Sequence, residues 1–134
     1  MVVLPDSNVF IRAARAGHDP FNELERLRGE REFVTCGLVI MEVCRGLRDP
    51  RLRQRFQQRF SVMICLHTSI TIWERATQLA WSLDRQGIVL PATDLVIAAT
   101  ALQAGAAVLT HDAHFHQIPG LKVIEELAQG TSLE

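Results

Sequence analysis

Four acidic residues lie within or beside apolar segments, where a carboxylate needs a hydrogen-bond partner or a cation. Asp6 follows a short apolar segment, Glu42 lies within an apolar segment, Asp94 precedes an alanine-rich run, and Asp112 closely follows apolar residues. An isolated buried charge is prohibitively costly, and carboxylates that converge repel one another and resist ionising. A divalent cation removes that conflict, and Mg²⁺ and Mn²⁺ prefer oxygen ligands. The four acids are therefore a hypothesis for a metal site.

The last two acids belong to a predicted helix–turn–strand unit. A Thr-Asp pair that ends at Asp94 opens an apolar run, Leu95–Leu102, and such residues accept hydrogen bonds from the first free N–H groups of a helix. Gly105 is the usual residue to end a helix, and Ala106–Leu109 reads as a short buried strand. Both Asp94 and Asp112 are thus expected at the carboxyl edge of a sheet, where ligands bind in open α/β folds.

The first acid is expected at the same edge. Residues 1–4 predict a short strand that Pro5 closes, because proline cannot donate to a sheet ladder. The chain then passes through Asp6, Ser7 and Asn8 into a helical pattern. Any of these three side chains is also a suitable helix N-cap, so capping and metal binding stand as equal interpretations of Asp6.

Glu42 is the unusual residue of a predicted helix, Gly37–Leu47, that ends at Gly46. Apolar residues surround Glu42, so the helix is predicted to be largely buried. The carboxylate then pairs either with an arginine such as Arg45 or Arg12, or with a metal or active-site group. We favour the second interpretation.

The remaining segments complete an alternation of strands and helices. Further strands are predicted at Phe33–Cys36, Val62–Leu66 and Leu121–Ile124, and further helices at Phe21–Arg31, Arg51–Phe60 and about Ser69–Gln86. Such alternation implies a parallel sheet covered on both faces. The chain is predicted to be an α/β protein, a three-layer α/β/α sandwich with a mostly parallel sheet of about five strands. We expect one domain over residues 1–132 and set aside Leu133 and Glu134 as a candidate cloning scar.

Composition limits the classes of protein further. The 134 residues are 48% hydrophobic and 22% charged, which is ordinary for a globular protein. No apolar run reaches the roughly 18 residues of a membrane helix, and the start does not resemble a signal peptide, so we expect a cytoplasmic protein with no membrane partner. The 3 cysteines include no CxxC spacing, which predicts reduced and mostly buried thiols.

Positive charge is concentrated in one segment, although the net charge is −1. Six arginines fall in the segment 45–59: Arg45, Arg48, Arg51, Arg53, Arg55 and Arg59. A local basic face can bind phosphates in a chain that is neutral as a whole, but a charge run is more often a solvated helix face. Both interpretations stay open. Ser7, Asn8 and Thr110 are polar neighbours suited to hydrogen bonds with the acids or with a substrate.

The four acids and their neighbours resemble one known family, the PIN-domain nucleases, and within it the VapC-type toxins of toxin–antitoxin pairs. The matching segments are LPDSNVFI with Asp6, IMEVCRG with Glu42, TDLVIAATAL with Asp94, and VLTHDAHF with Thr110 and Asp112. The resemblance covers essentially the whole chain. It departs at the residue before Asp6, a proline where the family usually has a large apolar residue, which bears on the end of the first strand.

The resemblance implies an activity and partners. In this family the acids hold Mg²⁺ or Mn²⁺ and support hydrolysis of RNA phosphodiesters, and Asp6 and Asp94 match the positions most directly tied to metal. It also implies a neutralising antitoxin and a homodimer. On this basis we expect a metal-dependent endoribonuclease toxin, with Asp6, Glu42, Asp94 and Asp112 as catalytic metal ligands.

Other functions were weighed against this one. A PIN nuclease of RNA processing or decay without an antitoxin is one alternative, and a catalytically silent RNA- or protein-binding module that uses the Arg45–Arg59 segment is another. A haloacid-dehalogenase-type phosphatase is disfavoured because Asn8 stands where a second aspartate is needed, and the only lysine, Lys122, lies near the end of the chain. A receiver domain is disfavoured because the same lysine is missing. Three histidines near Asp112 suggest zinc: His111, His114 and His116. Tight structural zinc sites favour Cys/His sets with recognisable spacing, and two of these histidines are expected on a loop, so surface or supporting roles are favoured.

Overall fold

A five-stranded parallel sheet forms the centre of the protein in a computed structural model that describes residues 1–127. The strands are β1 (Val2–Pro5), β2 (Glu32–Cys36), β3 (Ile64–Leu66), β4 (Ala107–Leu109) and β5 (Val123–Ile124), in the sheet order β3-β2-β1-β4-β5. The helices are α1 (Ser7–Arg15), α2 (Pro20–Arg26), α3 (Gly37–Arg45), α4 (Pro50–Ser61), α5 (Ile70–Arg85), α6 (Ala92–Ala104) and a 3₁₀ helix (Ala113–Gln117). The predicted α/β class and parallel five-stranded sheet are confirmed. The candidate cloning scar, Leu133-Glu134, lies outside the described residues.

The strand order creates a switch point between β1 and β4. From β1 the chain adds strands on one side, and from β4 it adds β5 on the other. Pro5 lies opposite Leu109 in the register of this pair, and the backbone N–H of Asp6 donates to the carbonyl of Leu109 at 2.9 Å. Residues that follow β1 and β4 therefore leave the sheet side by side, at the edge where α/β proteins bind ligands.

The helices cover the sheet in two groups. Helix α5 packs along α6, whereas α1 contacts α2 and α3, and α3 contacts α4. Right-handed crossovers in a sheet of this order place the two groups on opposite faces. Helix α3 also contacts α6. The three-layer arrangement thus brings helices from both groups towards the acids.

Four phenylalanines form the core between α1, α2 and α4: Phe10, Phe21, Phe56 and Phe60. Phe10 lies 4.9 Å from Phe60 and 5.3 Å from Phe21, measured between ring centroids. Both Phe10 and Phe60 are buried, and burial of one such side chain contributes roughly 1.5–3 kcal/mol. This cluster fixes α1, the helix that begins directly after Asp6, against the arginine-rich helix α4.

Three expectations from the sequence need correction. Helix α3 is not largely buried, because Met41 is 51% exposed and only Val39, Val43 and Cys44 of this helix are buried. Helix α2 is shorter than predicted, because the chain leaves the helix at Leu27. The segment after Asp112 is a 3₁₀ helix where a loop was expected, since the Asp112 side chain accepts from the N–H of His114 and begins the turn.

Two compositional predictions concern the environment of the chain. Among residues 1–127 no helix is long and apolar enough to cross a membrane. Cys36 and Cys44 are free and buried, whereas Cys65 is free and exposed. The prediction of mostly buried thiols is therefore confirmed, with Cys65 as the exception.

Candidate functional site

Asp6 is buried and lies directly after β1, with 2% of its surface exposed. It occupies the N-cap position of α1 but makes no capping hydrogen bond with its side chain. By contrast, Asp19 and Asp49 cap α2 and α4 in the usual way, each followed by a proline. The Asp6 carboxylate instead accepts hydrogen bonds from the hydroxyls of Thr110 and Ser7. Of the two interpretations of Asp6, helix capping by the side chain is therefore excluded.

Thr110 connects two of the acids. It directly follows β4 and is 1% exposed. Its Oγ1 donates to Oδ2 of Asp6 at 3.1 Å and accepts from the backbone N–H of Asp112 at 2.9 Å. One hydroxyl thus orients the Asp6 carboxylate and shapes the backbone turn that carries Asp112.

Ser7 connects Asp6 with Glu42. The Ser7 hydroxyl lies 3.1 Å from Oε1 of Glu42 and 3.3 Å from Oδ1 of Asp6, so its single proton can serve either carboxylate. Glu42 is half-buried, and no ion pair within residues 1–127 joins it to an arginine. The expected alternative, a pair with Arg45 or Arg12, is therefore wrong: helix α3 turns Glu42 towards α1 and Ser7.

Asp94 lies in the first turn of α6, at the third helical residue. The helix begins at Ala92, three residues before the predicted start at Leu95, and its N-cap, Pro91, has no side-chain cap hydrogen bond. The expected capping by the Thr-Asp pair is therefore wrong. The Asp94 carboxylate is instead turned towards His114, whose Nδ1 lies 3.0 Å from Oδ2. The negative charge also lies favourably near the positive end of the α6 dipole.

Asp112 and His114, which follow the end of β4, lie close to Asp94. Nδ1 of His114 lies 3.2 Å from Oδ1 of Asp112, as well as 3.0 Å from Asp94. One donor atom of each of Asp94, Asp112 and His114 lies within 4.8 Å of the others. Among residues 1–127 this is the one group of three or more such side chains close enough to share a metal ion, and neither Asp6 nor Glu42 belongs to it.

Burial dominates the electrostatics of the site. Desolvation raises the pKa of Asp6, and the charge of Asp94 adds to that increase, while hydrogen bonds from Thr110 and Ser7 partly oppose it. Desolvation also raises the pKa of Asp94, with the charge of Asp112 acting in the same direction and His114 opposing it. The hydrogen bond to Asp94 raises the pKa of His114. Both aspartates are therefore harder to ionise than an exposed aspartate.

The donor set fits a divalent cation. No arginine or lysine in the described part of the chain forms an ion pair with Asp6, Glu42, Asp94 or Asp112. His114, which contacts Asp94 and Asp112, is a cation only when protonated. Carboxylate oxygens are the ligands that Mg²⁺ and Mn²⁺ prefer, and a cation among them would offset both the desolvation and the repulsion by Asp112 that raise the pKa of Asp94.

The other predicted residues lie at different distances from this centre. Asn8 is exposed on α1 and lines a cavity of about 210 Å³ whose other lining residues include Arg12, His111 and Asp112. Among the six predicted contact arginines, Arg59 is engaged inside the chain: it lies 3.1 Å from Oδ1 of Asn22 and over the Phe21 ring. The other five are exposed along the end of α3, the following loop and α4: Arg45, Arg48, Arg51, Arg53 and Arg55.

His114 was not among the site residues predicted from the sequence. The sequence placed three histidines near Asp112 without indicating which of them faces the acids. The structure separates them: His116 lies 3.6 Å from Glu125, His111 is exposed, and His114 contacts Asp94 and Asp112. The available signal was the spacing Asp112-x-His114, in which an aspartate begins a tight turn by accepting from the N–H two residues on.

The sequence is similar to a known protein family and to a known ribonuclease. The sequence model of the PIN domain matches residues 3–121. The chain is 23% identical over 127 residues to Ribonuclease VapC2 of Rickettsia felis. The matched region covers 90% of this chain and 95% of that protein.

Two solved structures share the fold. The structure of VapBC2 from Rickettsia felis bound to a promoter DNA fragment matches with a TM-score of 0.79 and 22% identity, over 92% of this chain and 98% of that one. A toxin–antitoxin complex from Klebsiella pneumoniae matches with a TM-score of 0.71 and 22% identity, over 95% of this chain and 98% of that one.

Proposed function

The chain belongs to the PIN domain family, and from this we propose that it is a divalent-metal-dependent endoribonuclease that acts as the toxin of a toxin–antitoxin pair. One observation carries the proposal: carboxylates from the end of β1, the end of β4 and the start of α6 meet at the switch point of the sheet without an arginine or lysine partner among the described residues. The relative named Ribonuclease VapC2 supports RNA as the substrate.

Asp94 and Asp112 would hold the metal together with Asp6, which is close enough for the charge of Asp94 to raise its pKa beyond the larger effect of burial. Glu42 is connected to Asp6 through the Ser7 hydroxyl. A divalent cation at such a site lowers the pKa of water and neutralises charge that develops on a phosphodiester. Thr110 donates a hydrogen bond to one carboxylate oxygen of Asp6, and the Ser7 hydroxyl lies within hydrogen-bond distance of both Asp6 and Glu42. These contacts hold the acids in place before the substrate arrives, which saves reorganisation during the reaction.

The exposed arginines of the segment 45–55 would bind the RNA backbone or an antitoxin. These five arginines are exposed and do not make the contacts that hold Arg59 against the chain. Their guanidinium groups form a local positive surface, although the net charge of the chain is −1. Phosphate contacts of this kind weaken as salt rises, because binding releases counterions. The toxin–antitoxin complex from Klebsiella pneumoniae supports a protein partner.

A homodimer is part of the proposal. Three large apolar side chains of α5 are exposed: Ile70 by 75%, Trp73 by 52% and Trp81 by 57%. Their helical positions place them along one side of α5, and exposed apolar patches of this kind mark protein interfaces.

The cytoplasm, where thiols stay reduced, is the compartment that suits three free cysteines.

Cleavage of RNA by the purified protein tests the function. We expect cutting with Mn²⁺ or Mg²⁺, no cutting with EDTA, and a loss of at least about 100-fold in Asp94→Asn. Asp84→Asn is the matched control, because Asp84 is exposed on α5. Equal cleavage by the folded Asp94→Asn protein and the wild type would refute the assignment of the site.

A further inference from the structure

His114 is held against the acids by its own local structure. The Asp112 carboxylate accepts from the backbone N–H of His114 at 2.9 Å and begins the 3₁₀ helix. The next residue, Phe115, is 0% exposed, and Ile118 at the end of the helix is 3% exposed. Two buried side chains and a capped turn therefore fix the backbone from which the imidazole reaches the site, although 43% of the side chain itself is exposed.

The spacing of the donor atoms suits one small ion. Nδ1 of His114 lies 3.0 Å from Oδ2 of Asp94 and 3.2 Å from Oδ1 of Asp112. An octahedral ion with ligands at roughly 2.1 Å has neighbouring ligand atoms roughly 3 Å apart. The imidazole nitrogen is therefore already at the spacing of a ligand that shares an ion with Asp94 and Asp112.

We propose that His114 is a nitrogen ligand of the metal centre and biases it towards first-row transition ions over Mg²⁺. This rests on the proposed function, since it assigns a ligand to the same centre. Mg²⁺ takes oxygen ligands and dehydrates reluctantly, so it gains little from an imidazole. Affinity for sites with nitrogen donors rises from Mn²⁺ to Co²⁺ in the Irving–Williams order. One imidazole among carboxylates thus gives this chain a means of discriminating between ions that an all-carboxylate site lacks.

Binding of the ions alone tests the inference, without reference to cleavage. Affinities for Co²⁺, Mn²⁺ and Mg²⁺ are measured by calorimetry on the wild type and on His114→Ala. We expect the substitution to weaken Co²⁺ binding by at least about 10-fold, Mn²⁺ binding by a smaller factor, and Mg²⁺ binding by less than about 2-fold. His116→Ala is the matched control, because His116 lies on the same 3₁₀ helix and pairs with Glu125 outside the centre.

A spectroscopic readout identifies the nitrogen directly. With ¹⁵N-labelled histidine, pulsed EPR of bound Mn²⁺ should show a nitrogen coupling in the wild type and in His116→Ala, and none in His114→Ala. Folding of the variant is checked by its melting temperature; the hydrogen bond that begins the turn comes from the backbone N–H of residue 114 and survives the substitution.

The outcomes separate the two proposals. A wild type that binds none of the three ions overturns the metal centre, and the role of His114 with it. A wild type that binds them, with affinity lost equally for all three ions in His114→Ala or unchanged for all three, overturns only the assignment of His114 as an ion-selective ligand. Loss of the nitrogen coupling in His116→Ala instead would likewise overturn it.

Discussion

Thr110→Val is expected to be the most informative single change in the site, because one buried hydroxyl makes two hydrogen bonds. It donates to the Asp6 carboxylate at 3.1 Å and accepts from the backbone N–H of Asp112 at 2.9 Å. A hydrogen bond to a charged group contributes about 1.5–3 kcal/mol, and one between neutral groups about 0.5–1.5 kcal/mol. Valine keeps the shape and removes both bonds, so we expect a loss of about 2–4 kcal/mol in the free energy of unfolding at neutral pH.

Urea denaturation measures the loss, with Thr100→Val as the matched control. Thr100 is 0% exposed, as Thr110 nearly is, but its hydroxyl donates only to the carbonyl of Val96 in its own helix, at 2.7 Å. That carbonyl keeps a backbone partner in the helix, so the control should lose about 1 kcal/mol or less. If Thr110→Val were no less stable than Thr100→Val, the bridging role of Thr110 would be refuted.

The loss in Thr110→Val should also depend on pH. The Thr110 hydrogen bond lowers the pKa of Asp6 against the larger effect of burial, so it favours the ionised carboxylate. Its contribution to stability is therefore present above the pKa of Asp6 and lost as the pH falls through that pKa. The difference between wild type and variant should shrink in acid, and a difference that is constant across pH would show that the bond does not favour the ionised form.

Three further predictions address the site and the surface. Metal-free protein should gain stability on mild acidification, because the raised pKa values of Asp6 and Asp94 mean that protonation is favoured in the folded state. Thermal melts between neutrality and the ordinary aspartate pKa of 3.8 check this. Asp94→Asn should raise the melting temperature of the metal-free protein and abolish the further rise that Mn²⁺ gives the wild type, as measured by scanning fluorimetry. Trp73→Glu should convert a dimer to a monomer in light scattering without a change in circular dichroism, because Trp73 is 52% exposed; an unchanged mass would remove Trp73 from the interface.

Local patterns in the sequence predicted most of the secondary structure. The strand closed by Pro5, the helix ended by Gly46 and the helix ended by Gly105 all lie where the sequence placed them. Gly105 has a φ of 66°, a conformation that favours glycine, which is why this residue could be recognised as a helix end without any knowledge of the fold.

Partners of individual side chains were harder to predict than elements. The sequence predicted a largely buried α3 and an arginine as the alternative partner of Glu42, but Met41 on that helix is half-exposed and Glu42 meets Ser7. Apolar residues on all sides of a helix do not reveal which side faces the sheet, because that depends on how the neighbouring helices pack. Arg59 is a similar case: a run of arginines looks uniform, yet this one packs on Phe21.

The sequence by itself determined the alternation of strands and helices and the four acids, because periodicity, helix caps and strand ends depend on residues a few positions apart. Only the tertiary structure decided what these acids meet. Thr110 and Asp6 are 104 residues apart in the chain, and His114 reaches Asp94 across 20 residues. Both contacts follow from the strand order, which places β4 beside β1, and from the 3₁₀ helix after Asp112. Such juxtapositions arise from the packing of whole elements, and no local pattern encodes them.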